Sequence, residues 1–152
     1  MVGKELVEFC FFHEDAIRQA IFEKRNDGCI PKTGGNGTGH SKISDPTAQK
    51  ALQRVEALGT VVVEYGASIN GRRSTMTLRN PEKWLRVIDY TKKYYYGRLQ
   101  GELYRLKYRE SVGRSEVCRI LGISISYYKT MLSDIIRFGE GAAAGLGLLF
   151  KL

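Results

Sequence analysis

Residues 34–46 read GGNGTGHSKISDP, and a loop so rich in glycine is the first place where this chain could do chemistry. A phosphate-binding loop follows G-x-x-x-x-G-K-[ST], in which backbone N–H groups cradle phosphate and the lysine reaches the outer phosphates. Gly34, Gly39 and Ser41 fit the spacing, but the lysine position holds His40, which is shorter and neutral at pH 7. Such a loop also leaves a buried strand of a parallel sheet. The preceding NDGCIPKT contains no apolar run, and the rest of the chain has too few β runs to build that sheet. The segment therefore reads as a linker, with Lys42 or His40 at most brushing a phosphate. His13, Glu14 and Asp15 are consecutive, and neighbours on a helix point apart, so an exposed charged face accounts for the two acids. Cys10, Cys29 and Cys118 form no C-x-x-C pair, and with His13 and His40 they match no zinc spacing. Reduced thiols are expected, with Cys10 and Cys118 serving as small core residues. No paired carboxylates and no nucleophile–base set stand out, so neither an enzymatic reaction nor a cofactor or metal is expected.

The informative chemistry lies in GRSEVCRILGISISYYKTMLSDIIRF, residues 113–138. A helix-turn-helix needs a small residue where the second helix crosses the first, a turn glycine at positive φ, and apolar residues on the facing sides. With Gly122 as the turn glycine, the small position is Cys118. The inward positions are Val117 and Leu121 before the turn, then Ile123, Tyr128, Met131 and Ile135 after it. An ordinary helical hairpin with a glycine in its turn is the competing reading. In the helix-turn-helix frame Ser124 caps the second helix. Its outward residues are Ser124, Ser126, Tyr127, Lys129, Thr130, Ser133 and Arg137, hydrogen-bonding side chains on an element that fits the major groove of DNA. Lys129 and Arg137 suit phosphate or guanine, while Ser126 and Thr130 suit base edges or a thymine methyl. Arg114 and Arg119 lie on the first helix, which in this motif crosses the DNA backbone, so phosphate is their expected partner. Ile125 stands where a polar base reader would be easier to explain; contact with a thymine methyl and simple packing both stay open.

These residues must be positioned by the rest of a 152-residue chain, the size of one domain. Its 43% apolar content suffices for a core. Apolar spacing predicts a helix over residues 5–25 and another over 48–58, the latter stopped by Gly59. Between them, residues 26–47 read as loop. The β-branched run Val61–Val63, the turn signal Asn70-Gly71 and the alternation over 74–78 predict a small β-hairpin. Asn80-Pro81-Glu82 starts a helix, with Asn80 as its cap, that carries Trp84, Val87 and Ile88 and is broken or bent at Gly97. Leu99, Leu103 and Leu106 follow as core positions, with Arg98, Arg105, Lys107 and Arg109 as a solvated face for which phosphate contact is the second reading. The expected fold is mainly α, with a small hairpin in the middle and a C-terminal helix-turn-helix bundle. The segments are an N-terminal helix over 1–30, a Gly-rich linker over 31–47, a helix, hairpin and connecting helix over 48–96, and the helix-turn-helix region over 97–152. The tail GAAAGLGLLF would pack on a second copy or fold back on its own core.

Lys and Arg total 24 against 16 acids, for a net charge of +8. The surplus is uneven: residues 1–45 carry −1, whereas 46–80, 81–110 and 111–152 carry +3, +4 and +2. A polyanion partner, nucleic acid before membrane, is expected at the later segments. The first fifteen residues lack a signal-peptide h-region, and no apolar run approaches a membrane span.

The order of motifs resembles one family. A Gly-rich loop leads to SKISDPTAQKAL, followed by NPEKWLRVIDY, ELYRLKYRE and EVCRILGISISYYK. Over roughly residues 34–138 this is similar to the RinA/ArpU-like group of phage and prophage transcriptional regulators, whose C-terminal half resembles region 4 of sigma factors. The resemblance implies sequence-specific binding of double-stranded DNA near a phage late promoter, as an activator in the bacterial cytoplasm. RNA polymerase and a second copy of the chain are the further partners it leaves open. Such regulators often place Arg where this chain has Ile125, which leaves its base preference open. A small terminase-like DNA-packaging adaptor, ring-forming and also basic, is the alternative.

Overall fold

The computed structural model describes residues 3–27 and 57–149. The described residues are mainly helical, with one small antiparallel hairpin. Its elements are α1 (Gly3–Phe12), α2 (Glu14–Asn26), β1 (Thr60–Ile69), β2 (Arg72–Arg79), α3 (Pro81–Tyr94), α4 (Leu99–Tyr104), α5 (Arg114–Leu121) and α6 (Ile125–Gly145). A five-residue π turn, Arg105–Arg109, extends α4. The linker at 31–47 and nearly all of the helix expected over 48–58 lie outside the described residues, as does Cys29; Ala57 and Leu58 are not helical.

The hairpin follows its turn chemistry. Asn70 and Gly71 both take positive φ (52° and 74°), which a type I′ loop requires at its two central residues. Ile69 then pairs with Arg72 across the loop, and Val61 and Val63 pair with Leu78 and Met76. Val61, Val63 and Leu78 turn inward and are buried. A bulge between Tyr65 and Ile69 frees the outer half of the hairpin from the core.

The N-terminal helix departs from the single run predicted over 5–25. His13 leaves helical geometry (φ −115°, ψ 29°) and separates α1 from α2. Its ring sits 4.6 Å from Phe9 and 5.0 Å from Tyr65, beside the hairpin. One straight helix could not serve both halves, because α1 buries the near-contiguous set Val7, Phe9, Cys10 and Phe11 while α2 buries a different side through Glu14, Ile17 and Ala20. Asn80 also departs from expectation. It takes a left-handed conformation (φ 50°, ψ 54°) without a side-chain cap, and its backbone oxygen accepts from the amides of Lys83 and Trp84. Pro81 and Glu82 occupy the predicted positions in the first turn of α3.

One core collects residues from α1 through α6. Val7 and Phe11 of α1, Trp84 and Ile88 of α3, Leu103 of α4 and Ile135 of α6 are all within it. The tail folds back: Ala143 is fully buried, Leu146, Leu148 and Leu149 pack on the core, and Leu149 reaches Gly3. Cys10 and Cys118 are buried free thiols, and burial pushes the Cys10 thiol far up. Leu99 is half-exposed, unlike Leu103 and Leu106, because it opens α4 immediately after the Gly97 turn.

That turn (Gly97 φ 72°) folds the end of α3 onto the start of α4. The Tyr95 carbonyl accepts from the amide of Arg98, and a Cβ on Gly101 would lie 2.3 Å from the same oxygen. Gly101→Ala therefore has to move backbone rather than a flexible side chain. A loss of about 3 kcal/mol is expected, at the upper end of overpacking costs. A urea titration reads it, and an unchanged midpoint would mean that the turn can shift freely.

The Glu14 carboxylate corrects the expectation of an exposed acidic face. Glu14 is only 3% exposed, whereas Asp15 is exposed. The oxygens of Glu14 lie 2.6 Å from Lys92, 2.9 Å from Arg18 and 3.4 Å from Arg109. The break at His13 turns this residue into the seam between α2, α3 and the π turn. Burial by itself would raise its pKa; hydrogen bonds from Lys92 and Arg18 and the charges of Lys92 and Arg109 outweigh burial and hold the carboxyl below its ordinary range.

Candidate nucleic-acid interface

The two helices predicted from residues 113–138 are α5 and α6, joined by a short turn. Gly122 sits at φ 65°, ψ 37°, a left-handed conformation that glycine adopts at no steric cost. Its amide and that of Ile123 both bond to the Cys118 carbonyl, closing the end of α5. Ser124 then begins α6 as its cap, its hydroxyl accepting from the amide of Tyr127 at 3.1 Å. Val117, Cys118, Tyr128, Met131 and Ile135 are buried, and Leu121 and Ile123 pack against them at the rim. The thiol of Cys118 lies 4.0 Å from the Ser124 carbonyl, so the cysteine makes a weak contact across the turn that alanine could not.

The outward side of α6 follows from its phase. Ser126, Thr130, Ser133 and Arg137 recur at intervals of four, three and four residues, one stripe of a 3.6-residue helix. This stripe faces away from Tyr128, Met131 and Ile135. Ser124, Ser126, Tyr127, Lys129, Thr130 and Arg137 are exposed and Ser133 is half-buried. Ile125 is 48% exposed, so packing does not occupy it and its side chain is free for an apolar contact. The Thr130 hydroxyl donates to the Ser126 carbonyl at 3.1 Å. It therefore presents a lone pair and a methyl outward, and no free donor. Ser126 and Arg137 are about 16 Å apart along the axis at roughly 1.5 Å per residue. That separation exceeds the width of a DNA major groove, about 12 Å.

The cations divide into two groups. Of the bases between 81 and 110 read as a solvated face, three are paired with carboxylates of the chain itself. Arg105 bridges Glu102 and Glu110, Lys107 lies 3.6 Å from Glu8, and Arg109 reaches Glu14 and Asp15. On α5, Arg119 is clasped by both oxygens of Glu116, so phosphate would have to displace that carboxylate. Arg114, Lys129 and Arg137 have no ion-pair partner among the described residues. Arg114 and Lys129 line a common groove of 620 Å³ with Lys107, Ser115, Leu132 and one carboxylate, Glu116, between the start of α5 and the first turns of α6. A second concavity, 690 Å³ between α2 and β1, is lined by Asp15, Glu23, Asp27 and Glu64 against Lys24 and Arg73. Its carboxylates make it unsuitable for a polyanion.

Sequence reasoning identified the outward residues of α6 but missed the occupation of Arg119 and Thr130. An i, i+3 spacing of Glu116 and Arg119 was the available signal for the first. No group of three His, Cys, Asp or Glu is placed to hold a metal among the described residues, and none of their helices is long and apolar enough to cross a membrane. No family model, curated protein or solved structure matches the chain.

Proposed function

We propose that this chain is a non-enzymatic, sequence-specific binder of double-stranded DNA that regulates transcription, of the phage or prophage late-activator kind that its motifs resemble. The observation that carries the reading is the stripe Ser126–Thr130–Ser133–Arg137, which is polar and faces away from the buried Tyr128–Met131–Ile135 side. The helix bearing it is fixed by the Gly122 turn and the Ser124 cap. A water-facing helix side is ordinarily polar; what favours DNA here is that this row sits on the second helix of a Gly122-turned pair, with Arg114, Lys129 and Arg137 beside it and unpaired among the described residues. In this reading Ser126 and Thr130 meet base edges, Ile125 meets a thymine methyl, and Tyr127 and Ser133 line the groove walls. Lys129, Arg114 and Arg137 meet phosphates. RNA polymerase and a second copy of the chain are the partners such a regulator would use next.

A binding selection on random duplex DNA at two salt concentrations tests this directly. Enrichment of one sequence that survives moderate salt supports a regulator, and a repeated half-site identifies a dimer. Binding that disappears with salt and enriches nothing rejects it and favours the ring-forming packaging adaptor, which size measurement in solution would then reveal. Within the selected complex, Lys129→Ala and Arg137→Ala are each expected to weaken all sequences alike and to lower the salt slope by about 1. Ser126→Ala and Thr130→Ala are expected instead to change sequence preference, each costing about 1 kcal/mol or more at one base position. Four variants that keep the fold and bind like wild type would remove α6 from the interface.

A further inference from the structure

The basic residues of α3, the Gly97 turn and the π turn after α4 divide into those paired with groups of the chain itself and those that are not. Lys92, Arg105, Lys107 and Arg109 are ion-paired, and Lys83 donates to the Leu146 carbonyl. Arg86, Lys93 and Arg98 have no carboxylate partner among the described residues. Arg98 is nevertheless held. Its guanidinium lies 4.8 Å from the Tyr94 ring centroid, and Tyr94 in turn stacks on Phe138 of α6 at 4.4 Å and 18°. A cation seated on an aromatic face keeps its N–H edge available, whereas one held by a carboxylate does not. Phe138 immediately follows Arg137, so this stack ties Arg98 to the end of the α6 stripe.

The helical phases agree. On α3, Arg86, Tyr90 and Lys93 recur at i, i+4 and i+7, all exposed. Helix α6 runs antiparallel beside α3, touching it at Lys83 and Tyr94. At about 100° per residue, that contact puts the row Arg86–Tyr90–Lys93 on the same side of the α3–α6 pair as Ser126–Thr130–Ser133–Arg137. Beyond this row stands Tyr96, 88% exposed, with its hydroxyl in solvent.

From this arrangement we infer that Arg86, Lys93 and Arg98 form a second duplex-contacting surface, a phosphate rail beside α6. The rail grips the backbone that flanks the groove, and Tyr96 adds a hydroxyl at its end. The proposal rests on the DNA-binding reading above. It goes beyond it by assigning contacts to an element outside the helix-turn-helix, and by predicting a footprint longer than α5 and α6 alone would cover. The rail carries no base readers, so its contribution is to affinity and not to sequence preference.

The test compares Arg98→Gln, Lys93→Gln and the double variant with Lys24→Gln, which removes one charge from α2 beside the acidic concavity. All are measured on the duplex enriched by the wild-type chain, from 50 to 300 mM salt, after thermal melting confirms intact folds. Each rail substitution is expected to weaken binding about fivefold at 0.1 M salt and to lower the log–log salt slope by about 1, with the enriched sequence unchanged. The double variant lowers the slope by about 2, and Lys24→Gln changes it little. Rail variants that match wild type, or a Lys24→Gln effect of equal size, overturn the rail while leaving the recognition helix standing. A changed sequence preference also overturns it as a phosphate surface. A wild-type chain that retains no duplex at 50 mM salt overturns the rail and the function together.

Discussion

Gly139→Leu is expected to lower the thermal midpoint by about 6–12 °C, on a cost of about 3 kcal/mol and the usual 2–4 °C per kcal/mol for a chain of this size. A Cβ at Gly139 would already lie 2.7 Å from Val7 Cγ1 and 2.8 Å from Phe11 Cζ. Both are fully buried side chains of α1, and close-packed interiors leave such groups little room to shift. The remaining leucine atoms would push α1 away from α6. Helix α6 both carries the candidate recognition stripe and anchors α1, so separation at Gly139 would loosen the support of the whole interface. Gly141 supplies the control two residues on. It is exposed, with nothing within 4 Å of its Cβ position. Gly141→Ala should stabilise by about 0.5–1 kcal/mol, because it removes a flexible residue from the middle of a helix. Equal effects of the two substitutions would mean that the close approach of α1 is not limiting.

Glu14→Gln is expected to cost about 2–3 kcal/mol at pH 7. Removing one member of a buried ion pair costs about 3–5 kcal/mol; here the three cations keep part of their hydration, with side-chain exposures of 47% for Arg18 and 36% each for Lys92 and Arg109. The lower figure follows from that exposure. The pH dependence has a definite sign. The carboxyl of Glu14 is held below its ordinary range in the folded chain, so the unfolded chain takes up the proton first as pH falls. Its contribution is complete above the unfolded value of about 4.3 and is lost as pH drops through the folded value. Urea titrations of wild type and Glu14→Gln should therefore differ most at neutral pH and converge in acid. A gap that stays constant from pH 7 to pH 3 would assign Glu14 a packing role without charge.

Local rules made much of this chain legible before any tertiary contact was known. Asn70-Gly71 specifies its turn because few residues tolerate two successive positive φ values. Gly122, Ser124 and the apolar positions Val117, Tyr128, Met131 and Ile135 specify the α5–α6 pair, because turn conformation, capping and helical period are all short-range properties. The same period identifies Ser126, Thr130, Ser133 and Arg137 as one outward stripe. Pro81 and Glu82 mark the start of α3 for the same reason.

What the sequence could not supply depends on partners distant along the chain. Arg109 reads as a surface cation until Glu14 and Asp15, more than ninety residues away, are brought to it. Glu14 reads as a surface acid until the break at His13 turns it toward Lys92. Arg98 resembles its basic neighbours in sequence, and only the stack through Tyr94 onto Phe138 distinguishes it from them. A charged side chain carries no local mark of whether it will be buried, paired or left to meet a ligand. Its role depends on Coulomb and desolvation energies that are set by which charges and which low-dielectric surfaces packing brings within a few ångströms, and those distances exist only once the helices have docked.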